Sequence, residues 1–326
     1  ICACLVGSEM CIRDRAEHYN GLIAVWKEQG YTSHDVVAKL RGILHQKKIG
    51  HTGTLDPQAK GVLAVGLGLG TKTFDLLPDH WKTYEAEVTF GVQTDTEDIW
   101  GNALKTHDVS KTPEEITQAI CSFEGTYDQI PPMYSAKKID GKKLYQLARE
   151  GKIVERKAVP VTLKDIQVLS VTDNKARFLV TCSAGTYIRT LCVDIGKKLG
   201  CEACMSSLTR VMAGGFSKEQ ALTLEKIKEL ADKNELENHL ISIDTALGHF
   251  PKVIASNEFE KQLKNGNAIS IDAVLGLEEI STDVCGHDMR VRLYLNNDGL
   301  DDEFIGVYHL DKSSHLLKPV KIFYRN

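Results

Sequence analysis

Residues 21–26, GLIAVW, are a short apolar run with the length and composition of a buried strand. After the GYTS turn, Val36, Val37, Leu40, Ile43 and Leu44 recur at the spacing of one helix face. The pattern predicts a helix capped by Ser33, carrying Lys39, Arg41, Lys47 and Lys48, and ending at Gly50. The stretch GVLAVGLGLG predicts a strand with a glycine-rich exit, followed by a short helix over 71–77. In 82–92, Tyr84, Ala86, Val88 and Phe90 fall on alternate positions, as a strand with one buried side requires.

Further along, TPEEITQAICSF predicts a capped helix, and residues 130–151 a loop entering a basic helix. Residues 158–171 and 176–200 predict strands, a turn at Gly185 and a helix; 217–234 predict another helix. From about Pro251 the chain breaks into short pieces such as MRVRLYL, FIGVYHL and PVKIFY, separated by Gly, Asn and Asp turns. We therefore expect a large domain over 21–250 and a small β-rich one over 251–326. Strands and helices mix without strict βαβ alternation, so the class is α+β. Residues 1–20 have a short apolar stretch with no basic residues before it, a poor signal peptide, and are expected to be a tail outside the fold.

Composition adds bounds. Hydrophobic residues make up 42% and charged residues 26%, the range of an ordinary globular protein. No apolar run reaches the ~18–20 residues of a membrane helix. A net charge of −4 excludes a uniformly basic nucleic-acid binder, but the charge is segregated. Residues 137–164 hold nine Lys/Arg against three Asp/Glu, while 272–303 hold nine Asp/Glu and only Arg290 and Arg292 as basic residues. A basic face can follow a phosphate backbone even on an acidic protein, though such a face is equally an ordinary solvated one. Of nine cysteines, Cys201 and Cys204 form a lone C-x-x-C, read as free thiols rather than half a zinc site or a redox pair.

Several chemistries can be set aside. GLGLGTKT (66–73) has neither Walker A nor dinucleotide-loop spacing, and suits a strand exit with close backbone packing. There is no G-x-S-x-G elbow and no H-E-x-x-H, and the eleven histidines do not cluster at ligand spacing. What stands out is IGHTGTLDPQAKG (49–61), a crowded polar loop around one carboxylate, Asp56. Either Asp56 caps a turn or it does chemistry.

GHTGTLDP resembles the catalytic loop of TruB-type tRNA pseudouridine synthases. In the same order, 82–98 is similar to that family's tyrosine-bearing strand and acidic turn, 129–151 to its basic tRNA-facing segment, and 182–200 to its arginine motif. The resemblance implies a pseudouridine-synthase fold: a mixed, largely antiparallel central sheet flanked by helices, with a PUA-like domain at the C-terminus. It implies isomerisation of uridine-55 in the T arm of tRNA, moving the glycosidic bond from N1 to C5. No metal or cofactor is needed.

The family's nucleophile falls on Asp56, since a carboxylate can attack carbon and leave again. Its arginine falls on Arg189, a cation that favours the charged carboxylate. The target uridine must be flipped out of its arm. Tyr84 is implied to pack on the flipped base and move the proton off C5, and Tyr187 and Leu208 to shape the pocket. His51 is implied to help displace the base, and Lys27 to contact substrate. Taken alone, Tyr84 and Leu208 would be core residues, His51 an exposed loop residue and Arg189 a structural ion-pair partner. Two departures stand out: Glu28 follows Lys27 where the family has proline, and paired arginines are reduced to Thr209 and Arg210. The expected protein is a cytoplasmic monomer that binds tRNA, with no membrane and no obligatory protein partner. The rivals are a relative acting on another RNA and a non-catalytic RNA-binding protein.

Overall fold

The computed structural model describes residues 19–77, 81–139, 141–152, 154–277, 289–297 and 301–324. The proposed tail lies almost wholly outside them, as does part of the acidic stretch 272–303. Tyr19 and Asn20 already belong to the fold: Tyr19 exchanges hydrogen bonds with Gln46, and Asn20 Oδ1 accepts from the Leu69 amide.

A nine-stranded sheet forms the large part of the molecule. Its strands run in the order Gly21–Lys27, Lys60–Leu67, Ala203–Ala213, Lys82–Phe90, Lys175–Cys182, Val159–Thr172, Gly125–Gln129, with Ile49–Thr52 and Phe216–Ser217 attached beside this path. Every pairing is antiparallel except one. Lys60–Leu67 meets Ala203–Ala213 in parallel, through Thr209 opposite Lys60 and Arg210 opposite Gly61. That short contact is the seam between two halves of the sheet.

Each half has its own helical cover. On one side Val36, Val37, Leu40 and Leu44 of the Ser33–Leu44 helix pack with Ile23, Val25, Leu63 and Val65. On the other, the Pro113–Cys121 and Ile188–Leu199 helices set Ile116, Ile120, Leu191 and Ile195 against Ala86, Val88, Phe90 and Phe178. The alternation expected in 82–92 is present: Tyr84, Ala86, Val88 and Phe90 are all buried.

The opposite face of the first half is also covered. Leu22, Ala24, Val62 and Ala64 pack with Val307 and Phe323 of the C-terminal sheet. This sheet is six-stranded and includes Lys252–Ala255, Arg290–Leu295, Glu303–Asp311 and Leu316–Ile322. With both faces buried, 21–26 and 61–67 are apolar without interruption rather than alternating. No helix among the described residues is long and apolar enough to cross a membrane.

Three local expectations need correction. Thr32, not Ser33, caps the first helix, in a capping box with Asp35, and the helix stops at Leu44 with His45 in the left-handed region. Residues 71–77 are not a helix; a single 3₁₀ turn, Gly68–Lys72, follows the strand, and Lys72 Nζ reaches the Ile322 carbonyl at 3.0 Å. The predicted helix over 217–234 is shorter, Leu224–Asp232 capped by Thr223, because Phe216–Ser217 pairs with the strand before it. Cys201 and Cys204 are free thiols, both pushed up by burial, Cys204 to about 11.

Candidate active site

The loop carrying Asp56 joins Ile49–Thr52 to Lys60–Leu67, at the seam. Its backbone is fastened on all sides. Arg210 Nη2 donates to the Gly53 carbonyl at 2.9 Å, and the Leu55 amide donates to Ser33 Oγ at 2.9 Å. The Ala59 amide donates to the Asp56 carbonyl, and the Pro57 carbonyl accepts from Gly30 N and Lys27 Nζ. Leu55 is buried among Tyr84 and Leu208. Among the described residues no backbone amide donates to the Asp56 carboxylate, so it caps no turn there; its side chain stays 43% exposed.

Its partner is Arg189. Nε lies 2.9 Å from Asp56 Oδ2, while Nη1 donates to the Thr96 carbonyl at 2.9 Å and Nη2 to the Tyr134 carbonyl at 2.7 Å. A planar fork with all three nitrogens engaged cannot swing away from the carboxylate. Asp98 adds a second carboxylate 3.9 Å from Nη1. Arg189 sits in the first turn of its helix, and Tyr187 just before it exchanges two hydrogen bonds with Gln129, its amide donating to Oε1 and its carbonyl accepting from Nε2.

Across the seam stands Tyr84, 7% exposed, on the central strand Lys82–Phe90. Burial pushes its phenol upward; the Arg210 charge opposes this, and Asp56 adds to it. Leu208 lies on the neighbouring strand in the same apolar cluster. His51 is half-buried on the strand leading into the loop, edge-on to His34 at 5.5 Å, with Nδ1 buried and unbonded. Burial, and then the nearby His34 and Arg210, hold its imidazole below the usual histidine range.

Asp56, Arg189, Tyr84, Leu208, His51 and Tyr187 are thus brought to one place. Lys27 is also there, but not as a substrate contact. It is fully buried, and its ammonium donates to the carbonyls of Glu28, Tyr31 and Pro57 at 3.0, 2.6 and 3.1 Å. A buried ammonium can make three bonds, and all three are used on the backbone beneath the Asp56 loop. Burial lowers its pKa to about 8, with the Asp56 charge opposing. It fixes the turn that the family stiffens with proline.

Sequence reasoning missed Arg210, Gln129 and Ser33 as parts of the site. Arg210 is fully buried, with Nε donating to the Val62 carbonyl at 2.7 Å, and so ties the two halves together at the seam. The remaining arginine of a reduced pair was its only signal.

Residues 41–188 match the model of the TruB family pseudouridylate synthase N-terminal domain, and 189–248 that of the tRNA pseudouridylate synthase B C-terminal domain. The tRNA pseudouridine synthase B of Alkaliphilus oremlandii is 43% identical over 305 residues, covering 93% of this chain and 97% of that protein. The chain belongs to the TruB family. The TruB protein of Lachnoclostridium phytofermentans is 45% identical over 312 residues, covering 93% and 99% of the two chains. Among solved structures, the one described as a Cbf5-Nop10-Gar1 complex aligns with a TM-score of 0.68 at 26% identity, covering 93% of this TruB chain and 85% of the other. A chain from an H/ACA RNP bound to a substrate RNA containing 2′-deoxyuridine shares the fold, with a TM-score of 0.66 at 24% identity and coverage of 94% and 85%.

Proposed function

We propose that this chain, a tRNA uridine isomerase by its family, converts uridine-55 of the T arm to pseudouridine with Asp56 as nucleophile. One observation carries the reading: a carboxylate held on a pinned loop, capping nothing, open to solvent, and paired with a buried arginine. A turn needs only the glycine and the proline. Fixing a carboxylate against a rigid guanidinium is the geometry of a positioned nucleophile.

The flipped uridine enters over Tyr84 and Leu208, which offer an apolar platform beside Asp56. The carboxylate attacks carbon, at the ribose C1′ or the base C6. The N1–C1′ bond breaks, a C5–C1′ bond forms, the C5 proton leaves and N1 gains one, so substrate and product have the same atoms. Tyr84 is the group at hand to move the C5 proton. His51, neutral at physiological pH by its lowered pKa, acts on displaced RNA through shape and hydrogen bonding rather than charge. We place this activity in a cytoplasmic monomer working on tRNA without a protein partner, in keeping with the family resemblance.

The test is tritium release from an unmodified tRNA transcript labelled at C5 of uridine, comparing the wild type with Asp56→Asn. Release by the wild type, with none from a variant that still binds tRNA, supports the reading. Tight binding by both with release by neither would mean an RNA-binding protein that keeps the fold.

A further inference from the structure

The turn that holds Arg189 is built on a backbone that its own sequence disfavours. Glu97 has φ +65°, a left-handed conformation that glycine enters freely and glutamate only against strain. The peptide joining Thr96 to Glu97 is a rigid plane, so its tilt is set by ψ of Thr96 and φ of Glu97. That tilt aims the Thr96 carbonyl at Arg189 Nη1, 2.9 Å away. The far side of the turn is fixed by Met205, whose amide donates to the Glu97 carbonyl at 3.1 Å and whose carbonyl accepts from the Ile99 amide at 2.9 Å. The Glu97 side chain closes the near side. Thr190 Oγ1, on the residue next to Arg189, donates to Glu97 Oε2 at 2.6 Å. Among the described residues this is the one hydrogen bond of the Glu97 side chain, and it is held at a cost. Burial raises the carboxyl, against the Thr190 bond and the charges of Arg189 and Arg156.

We propose that Glu97 is a positioning residue: its bond to Thr190 keeps the Thr96–Glu97 peptide turned so that Arg189 stays aimed at Asp56. The proposal rests on the reading of Arg189 as the group that orients the nucleophile. Three consecutive residues of the turn meet two consecutive residues of the helix. The Thr96 carbonyl and the Asp98 carboxylate, at 2.9 and 3.9 Å, flank Arg189 Nη1, and Glu97 between them takes the Thr190 hydroxyl. Without that bond Glu97 relaxes toward negative φ by rotation of the peptide before it, and the Thr96 carbonyl leaves the guanidinium. Arg189 then keeps the Tyr134 carbonyl and Asp56 but is free to pivot about them. Among the described residues Glu97 makes no bond to Asp56, so its effect on the reaction runs through Arg189.

Substitutions at position 97 separate the side chain from the backbone. Glu97→Ala loses the bond and keeps the strain. Its single-turnover rate of tritium release at saturating tRNA should fall roughly tenfold, with tRNA affinity little changed. Glu97→Gln keeps an acceptor for Thr190 and should retain most of the rate. Glu97→Gly loses the bond and the strain together, so it should lie between them. Thr190→Val removes the donor at nearly constant volume and should match Glu97→Ala, and the two combined should cost little more than either alone. A residue that only stabilises the fold would lower Tm and leave the rate per folded molecule unchanged, and that result overturns the proposal. So does a Glu97→Ala chain no slower than Glu97→Gly. A second readout does not use activity. The ¹H–¹⁵N signal of the Arg189 Nε–H, identified by its loss in Arg189→Lys, should shift and exchange faster with water in Glu97→Ala but not in Glu97→Gln. An unmoved signal in Glu97→Ala overturns the proposal. Failure of the wild type to isomerise tRNA would refute the reading of the site, and the Arg189 signal would still decide whether Glu97 positions the guanidinium.

Discussion

Arg189 Nε stands 2.9 Å from Asp56 Oδ2, yet the two side chains differ sharply in exposure, 7% for the arginine against 43% for the aspartate. The cation is built into the protein and the anion stays open to solvent. A buried structural ion pair would hide both partners. Here the arginine is locked by the Thr96 and Tyr134 carbonyls before it meets the carboxylate, so the pair sets where the carboxylate points.

Arg189→Lys tests that geometry. A lysine keeps the charge but cannot hold two carbonyls and a carboxylate in one plane. The single-turnover rate of tritium release should fall roughly 10²-fold, with tRNA affinity little changed. A rate near wild type would show that charge alone is enough.

Lys27→Met separates a scaffold from a substrate contact. Loss of the ammonium frees the Glu28, Tyr31 and Pro57 carbonyls and loosens the loop from below. We expect a lower Tm and a lower kcat, with the salt dependence of tRNA binding unchanged. A reduced salt slope would return Lys27 to the RNA surface.

His51 gives a pH signature. Its folded pKa lies below 6.5, so between the two values the unfolded chain binds the extra proton. Stability therefore rises with pH across that window; the contribution is complete above 6.5 and is lost as pH falls toward the folded value. His51→Gln removes this component. Urea midpoints at about pH 7.5 and about pH 5.5 should drop less on acidification in the variant than in the wild type. An equal drop would show that burial does not hold the imidazole neutral.

Gly61→Ala probes the seam. Gly61 has φ +119°, and a Cβ there would stand 2.7 Å from the Arg210 amide nitrogen. Strain and clash together should cost about 3 kcal/mol, lowering Tm by several degrees. Differential scanning calorimetry on the purified variant gives the answer, and a Tm within a degree of wild type would refute the close packing.

Periodicity alone carried much of the fold. Alternation in 82–92 and helical spacing in 36–44 are local patterns, fixed by which faces must leave water, so they can be read residue by residue. Asp56 and Arg189 were legible through their motifs. The ends of elements were not. Ser33 looked like a cap, but its hydroxyl is claimed by the Leu55 amide from a distant loop, and Thr32 takes the cap. Nor could the pattern show that 217–234 is interrupted, since the pairing of Phe216–Ser217 depends on its neighbour.

The sequence by itself determined the classes of element, the strand faces and the loop with its one unexplained carboxylate, because these follow from side-chain chemistry at fixed local spacing. Only the tertiary structure decided that Lys27 supports the loop, that Arg210 ties the seam, and that Asp56 stays open while its partner is buried. A charge acquires its role from what surrounds it after folding, and burial beside another strand's carbonyls is not written in the residues next to it.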